Sequence, residues 1–538
     1  MRSIQGWNGN IVKEERSQVA LIKVQDLQVC FEQDAGTIMA VDGITFNIGS
    51  NEVVGLVGES GSGKTITSLS IMKLLPERRC SLGGKIIFED RDILELSERE
   101  MLAIRCSKIA MVFQEPFTSL NPVMTVGEQI DEVMLAHTNV SKGEAKKRSL
   151  SILDRIKIAS PLRIYNAYPH LLSGGERQRA MIAMAVALKP RLLIADEPTT
   201  ALDVTIQEEI LTLILDIKKE LGISVLFVTH DFGIVKKVAD RVIVMKDGNI
   251  VESGKTDVML LSPGDDYTKR LIEAIPKIDL TAPKKRREER PAAIDINSLS
   301  KSFLIGKGLF QRERTIVKAV NNVSFKVEEG RTLGLVGESG SGKTTVGKII
   351  AGIIEADSGH IRVSGSGTRH KLQMVFQDPY SSLDPRMKMR DIVLEGPTIQ
   401  GLTKGRKETI LRDVLLKVRL DYKDSAKYPH QFSGGQRQRI SIARALAVDP
   451  RILILDEPVS SLDVIIQRDI LDLLKELQNE LSLTYLFISH DLRVIEYMAD
   501  DIAVMQKGEI VELDTSDRIY RSPKHPYTRR LLSSIPEL

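Results

Sequence analysis

The stretch Gly58-Glu59-Ser60-Gly61-Ser62-Gly63-Lys64-Thr65 recurs unchanged as Gly337-Glu338-Ser339-Gly340-Ser341-Gly342-Lys343-Thr344. Val53-Val54-Gly55-Leu56-Val57 ahead of the first copy reads as a buried strand, and Ile66-Thr67-Ser68-Leu69-Ser70-Ile71-Met72 behind it as a helix. That is the context a phosphate-binding P-loop requires. The glycines let the backbone fold tightly enough for successive N–H groups to converge on a phosphate. The helix N-terminus adds the positive end of its dipole, and the lysine adds a full charge. Thr65 and Thr344 are placed to offer a hydroxyl to Mg²⁺. A plain glycine-rich turn could account for one copy. Two copies in the same strand-to-helix context make a nucleotide phosphate the expected ligand.

The repeat extends beyond the loop. Ser173 corresponds to Ser433, Asp196 to Asp456, His230 to His490 and Tyr267 to Tyr527, all at an offset of 260 residues, whereas Lys64 and Lys343 are 279 apart. The first half therefore carries extra residues upstream, around Ile93 to Lys108, a charged and helix-favouring insertion. At 538 residues the chain exceeds one typical domain, and each half is long enough to bury its own core. The expected division is a disordered N-terminus over 1–18, a first domain over 19–276, a linker over 277–293 and a second domain over 294–538. The linker reading rests on Pro283 and Pro291, on the absence of apolar periodicity, and on a basic run interrupted by acids. A tether this short keeps the halves at high effective concentration.

Composition excludes several classes. The chain is 42% hydrophobic and 27% charged with a net charge of +3, which is ordinary for a globular protein and gives no electrostatic reason to expect nucleic acid as a partner. Cys30, Cys80 and Cys106 lack metal-ligand spacing and suit a reducing compartment. The N-terminus has no signal-like apolar run, and no stretch approaches the roughly 20 apolar residues needed to span a bilayer. Membrane contact is expected only through partners.

Four further motifs follow the P-loop in fixed order in both halves. Met111-Val112-Phe113-Gln114 and Met374-Val375-Phe376-Gln377 are apolar strands ending in an amide whose oxygen could reach Mg²⁺ or a water. Ser173-Gly174-Gly175 and Ser433-Gly434-Gly435 open long helical runs, with the serine as N-cap and exposed N–H groups that could meet an anion. An ordinary capped helix explains one such copy equally well. Leu192-Leu193-Ile194-Ala195-Asp196-Glu197 and Ile452-Leu453-Ile454-Leu455-Asp456-Glu457 are buried strands ending in paired acids. There the aspartate can hold Mg²⁺ and the glutamate can orient and deprotonate a water. His230 and His490 end strands of their own, a placement that is usually structural but here suits contact with a γ-phosphate.

These ordered motifs resemble the ATPase domains of ATP-binding-cassette proteins, and the resemblance covers nearly the whole chain, twice. It implies an α/β fold of two tandem P-loop nucleotide-binding domains, each with an antiparallel β subdomain and a helical subdomain. It also implies ATP and Mg²⁺ as ligands and a head-to-tail arrangement. Lys64, Asp196, Glu197 and His230 would then share one ATP with Ser433, Gly434 and Gly435. Lys343, Asp456, Glu457 and His490 would share the other with Ser173, Gly174 and Gly175. Ala201-Leu202-Asp203 and Ser461-Leu462-Asp463 would line the seam between them. Both sites keep their full residue sets, so two hydrolytic sites are expected. The family stacks adenine on an upstream aromatic, for which Phe31 and Phe303 are the best placed, although either could simply be a core residue.

A closer resemblance, to bacterial peptide, nickel and glutathione importers, rests on Phe113-Gln114-Glu115-Pro116 with Ser119-Leu120-Asn121-Pro122, on Phe376-Gln377-Asp378-Pro379 with Ser382-Leu383-Asp384-Pro385, and on His525-Pro526-Tyr527-Thr528-Arg529-Arg530-Leu531-Leu532. The last phrase recurs in degraded form as Asp266-Tyr267-Thr268-Lys269-Arg270-Leu271. This resemblance implies the fused energy-coupling ATPase of a peptide importer, peripheral on the cytoplasmic face of the inner membrane. Its partners would be two integral-membrane permeases and a substrate-binding protein, with no nucleic acid. No cysteine follows the Tyr-Thr segment, so the iron–sulfur tail of some relatives is not expected. The alternative is a two-cassette ATPase acting on ribosomes or nucleic acid. The short, proline-bounded linker and the absence of zinc-type cysteine clusters disfavour it. The sequence does not identify the cargo.

Overall fold

The computed structural model describes residues 20–33, 36–76, 78–200, 202–276, 278, 290–306, 314–364 and 371–535. The expected disordered N-terminus, Ala201 and most of the expected linker lie outside the described residues. The chain divides into two compact units, Met1–Pro198 with Leu211–Thr268 and Thr199–Ile210 with Lys269–Leu538.

Each half is built around a six-stranded sheet. In the first the strand order is Asn249–Lys255, Arg241–Lys246, Val53–Val57, Ser224–Thr229, Leu192–Asp196 and Ile109–Val112. Every neighbouring pair is parallel except the outer pair, Asn249–Lys255 with Arg241–Lys246. The second half repeats the arrangement with Thr332–Val336 between Thr484–Ile488 and Asp501–Gln506. The parallel strands read as continuous apolar runs because both faces are covered. Val53–Val57 and Thr332–Val336 are buried at every position.

A separate antiparallel sheet stands beside each parallel one. In the first half Ala20–Gln33 pairs with Gly36–Gly49 and with Cys80–Phe88, and in the second Ala292–Gly306 pairs with Arg314–Glu328 and Ser358–Val363. Helices between the amide-ending strand and the paired-acid strand form the third layer: Val126–His137, Lys142–Arg155, Pro161–Tyr165 and Gly174–Val186 in the first half. Their counterparts in the second half are Met389–Ile399, Lys407–Lys417 and Gly434–Leu446. The insertion around Ile93 to Lys108 folds as a 3₁₀ turn, Ile93–Glu95, followed by the helix Glu98–Ile104, which is closed at its start by a Ser97–Glu100 capping box.

Candidate functional site

The P-loop, amide, paired-acid and histidine residues singled out by the sequence collect at the carboxyl ends of the parallel strands, where ligands of open α/β sheets bind. The Ser-Gly-Gly segments open helices outside the sheet, and Phe31 and Phe303 lie on the antiparallel sheets. The P-loop leaves Val53–Val57 and turns into the helix Lys64–Ile71, with Gly63 as N-cap at φ 101°. The next strand over ends in Thr229 before His230, and the one beyond it ends in Asp196. Gln114 follows the sheet's edge strand.

Hydrogen bonds join these residues into one constellation in each half. The Thr65 hydroxyl donates to Asp196 Oδ1 at 3.3 Å, and Thr344 to Asp456 Oδ1 at 3.0 Å. Gln114 Nε2 donates to Glu197 Oε2 at 2.9 Å, and Gln377 Nε2 to Glu457 Oε2 at 2.8 Å. His230 Nδ1 lies 3.4 Å from Glu197 Oε1, and His490 Nδ1 lies 3.0 Å from Glu457 Oε1. The lysines turn inward on their own loops. Lys64 Nζ donates to the carbonyls of Gly58 and Glu59, each at 2.8 Å, and Lys343 Nζ to those of Gly337 and Glu338 at 2.7 and 2.8 Å.

Electrostatics separate the two acids of each pair. Asp196 and Asp456 are 1% and 2% exposed, and burial pushes both carboxyls up to about 6 against the opposing pull of the threonine hydroxyls. A buried carboxylate beside a hydroxyl and an amide is a hard-oxygen set that fits Mg²⁺, which binds through one or two carboxylates plus substrate phosphates. Burial also acts to raise Glu457, but the hydrogen bond and charge of His490 and the charge of Lys343 outweigh it and hold the carboxyl below its ordinary value. Glu197 and Glu457 both sit in the left-handed region, at φ 45° and 47°, a costly conformation for a non-glycine residue that the surroundings must enforce. Their own N–H groups provide part of that enforcement, donating to Val228 and Ile488 at 2.9 Å.

Ser173 and Ser433 cap the helices Gly174–Val186 and Gly434–Leu446 through complete capping boxes. Each hydroxyl accepts from the N–H of Glu176 or Gln436, whose side chain returns a bond to the serine N–H. The Ser-x-x-Glu/Gln spacing is the signature of this arrangement. The two boxes differ in charge, since Glu176 also pairs with Arg163 while Gln436 is neutral. In the second half, packing favours glycine at the second position after the serine, because a Cβ at Gly435 would lie 2.4 Å from Ile466 Cγ2, whereas one at Gly434 would meet Leu462 at an ordinary 3.4 Å. Ser173→Ala and Ser433→Ala should each cost about 1 kcal/mol of helix stability through loss of the cap, read as a lower midpoint in denaturant unfolding. An unchanged midpoint would show that the cap bonds contribute no stability.

The two aromatic candidates are not equivalent. Phe31 packs partly buried against its half's core, whereas Phe303 is 37% exposed, with the Lys301 ammonium 5.8 Å from its ring centroid. Sequence reasoning also left Tyr267 and Tyr527 without a role. The Tyr267 phenol oxygen accepts from the N–H of Glu59 at 3.2 Å, and that of Tyr527 from the N–H of Glu338 at 3.1 Å. The recurrence of Tyr-Thr at the common offset is the only trace of this in the sequence.

A P-loop on a parallel sheet, with an aspartate, glutamate, glutamine and histidine at neighbouring strand ends, defines a phosphate-handling ATPase, present here in two copies. The ABC transporter family model matches residues 41–200 and 320–460, and that of the oligopeptide/dipeptide transporter C-terminal region matches 251–308 and 511–538. The chain is 45% identical to the peptidoglycan transport ATP-binding protein YejF of Agrobacterium fabrum, over 97% of each chain. It is 42% identical to the glutathione import ATP-binding protein GsiA of Escherichia coli O157:H7, over 96% of this chain and 89% of that one. Among solved structures, a dimeric bacterial ABC transporter cassette, MJ0796, matches 44% of this chain and 98% of its own at 31% identity, with a TM-score of 0.40. The chain belongs to the ABC transporter family and is one of its ATP-binding, ATP-hydrolysing members, with two tandem cassettes.

Proposed function

We propose that the chain powers import of small peptides through a membrane permease, each half binding and hydrolysing ATP with the residues assembled above. The observation that carries this reading is the importer-type C-terminal segment that follows a full P-loop constellation in both halves. Relatives named for peptidoglycan transport and glutathione import support a peptide-like cargo. They give no support to the alternative of an ATPase acting on ribosomes or nucleic acid. Among the described residues no helix is long and apolar enough to cross a membrane, so the proposed seat at the cytoplasmic face of the inner membrane relies on two permease subunits, with a substrate-binding protein delivering cargo.

In this reading the P-loops, Gly58 to Thr65 and Gly337 to Thr344, cradle the phosphates. Thr65, Gln114 and Asp196, with Thr344, Gln377 and Asp456, would hold Mg²⁺, whose charge neutralises phosphate oxygens when bound. Glu197 and Glu457 take a proton from the attacking water, while His230 and His490 orient them and face the γ-phosphate. Each ATP is completed by the opposite half, Ser433, Gly434 and Gly435 serving the first P-loop and Ser173, Gly174 and Gly175 the second. Phe303 and Phe31 stack on adenine. Binding draws the halves together, hydrolysis releases them, and the segments after Gln114 and Gln377 pass the motion to the permeases. Phosphoryl transfer asks the protein mainly for positioning and charge stabilisation.

Affinity capture of the chain from gently solubilised native membranes is expected to recover two multi-spanning permeases, identified by mass spectrometry. Capture of ribosomal or nucleic-acid proteins with no permease would overturn the reading.

A further inference from the structure

We propose that Tyr267 and Tyr527 are positioning residues for nucleotide binding, through which the C-terminal segment of each half holds its own P-loop open for phosphate. The inference rests on the ATP sites proposed above. The peptide unit joining Gly58 to Glu59 is gripped at both ends: its carbonyl accepts from Lys64 Nζ at 2.8 Å, and its N–H donates to the Tyr267 phenol oxygen at 3.2 Å. In a trans peptide these two groups point in opposite directions, so lysine and tyrosine hold the plane from opposite sides. The second half repeats the grip, with Lys343 Nζ 2.7 Å from the Gly337 carbonyl and the Glu338 N–H 3.1 Å from the Tyr527 phenol oxygen. Tyr267 adds a bond from its hydroxyl to Glu59 Oε2 at 3.2 Å.

Lysine can hold the carbonyl only while its ammonium is turned inward. Once that charge is directed at a phosphate, the tyrosine bond is what fixes the plane of the loop's first peptide. The phenol is suited to a permanent hold, being 6% exposed in Tyr267 and 7% in Tyr527. Burial pushes Tyr527 up to about 12, so it stays a protonated phenol at physiological pH.

The segment carrying each tyrosine is itself anchored. Glu252 accepts from the N–H groups of Gly264 and Asp265 at 2.7 and 3.2 Å, and Glu512 from those of Lys524 and His525 at 2.8 and 3.0 Å. Asp265 Oδ1 then accepts from the Tyr267 N–H at 2.8 Å, and His525 Nδ1 from the Tyr527 N–H at 3.2 Å. The first half's departure from the His-Pro-Tyr-Thr phrase is therefore conservative, because Asp265 supplies the acceptor that His525 supplies in the second. Carboxylate, loop, cap and phenol form a strut that runs from the sheet's outer strand to the P-loop in each half.

Tyr267→Phe with Tyr527→Phe removes only the two hydroxyls and keeps the ring packing. In the full-length chain, MgATP titrated calorimetrically is expected to bind about 3- to 10-fold more weakly, the effect of losing the neutral hydrogen bond to the loop N–H at each site, with the Tyr267 bond to Glu59 Oε2 lost as well in the first. The KM for ATP should rise by a similar factor, while kcat at saturating ATP changes less than about 2-fold. In nucleotide-free protein, hydrogen exchange should quicken in peptides covering 58–65 and 337–344, relative to the parallel strands. A lower melting temperature with unchanged MgATP affinity and unchanged P-loop exchange would overturn the proposal and leave the tyrosines a packing role. Failure of the unmodified chain to bind MgATP would overturn the ATP sites themselves, and this inference with them.

Discussion

Glu197→Gln combined with Glu457→Gln is expected to lower steady-state ATP hydrolysis by about 10²- to 10⁴-fold, the range contributed by a positioned general base, while leaving ATP binding intact. The substitution exchanges one oxygen for an NH₂ group of nearly the same size. The backbone hold on each residue through Val228 or Ile488 does not depend on the side chain, so the left-handed turn that aims it survives. What disappears is the proton acceptor. The Glu457 carboxyl is well suited to that task because His490 and Lys343 overcome the effect of burial and keep it ionised. Gln377 donates to one of its oxygens at 2.8 Å and His490 stands 3.0 Å from the other, which fixes the orientation of the group. The matching bonds at Glu197, 2.9 Å from Gln114 and 3.4 Å from His230, predict equivalent behaviour in the first half. A phosphate-release assay beside equilibrium ATP binding decides the matter: normal turnover in the double variant would remove both glutamates from the base role. The single variants then separate independent from coupled sites. Each retains about half the activity if the sites work alone and almost none if both must act together.

The parts of this protein that were legible in its sequence share a physical character. The P-loop, the paired acids and the strand-end histidines are local patterns, in which a short apolar run buried on both faces ends in residues that the sheet must deliver to one edge. Once Val53–Val57 is a strand, Lys64 can only emerge at its carboxyl end, and the same holds for Asp196 after Leu192. The serine N-caps at Ser173 and Ser433 were equally local, whereas the return bonds from Glu176 and Gln436 emerged only in the structure. The tyrosine contacts were of another kind. Glu59 and Tyr267 are separated by 208 residues, and no periodicity or composition relates them. Only the fold, which brings the C-terminal helix back beside the first turn of the P-loop, makes the phenol a loop contact. The left-handed backbone of Glu197 and Glu457 was likewise hidden, because glutamate carries no propensity that announces it. Nor could the sequence rank Phe31 against Phe303. Phe31 has a strand on each side, pairing with Ile38 and Cys80, whereas Phe303 pairs with Val317 and lies beyond the last pairing of its strand with Ser358–Val363, Ser300 with Ser358.

Gly342→Ala is expected to be far more damaging than Gly340→Ala, although both replace a P-loop glycine at positive φ. Gly340 has φ 77° with nothing within 4 Å of the position a Cβ would take, so alanine there meets only the left-handed penalty of about 1–2 kcal/mol. Gly342 has φ 105°, and its Cβ would fall 2.1 Å from the carbonyl oxygen of Ala319 and 2.8 Å from Met505 Cε. The methionine tip can move, but the carbonyl is main chain of the long strand Arg314–Glu328, which cannot yield without shifting the strand. Relief must then come from the loop itself. Gly342 is the N-cap of the helix that begins at Lys343, so displacing it moves the lysine and the N–H groups that face the phosphates. Gly342→Ala should cost at least about 3 kcal/mol, in the upper range for single substitutions, and abolish ATP binding in the second half. Gly340→Ala should retain binding with a modest loss of stability. Thermal unfolding with ATP titration on the two variants distinguishes backbone strain from steric exclusion, since equal damage from both would mean that φ alone governs the loop.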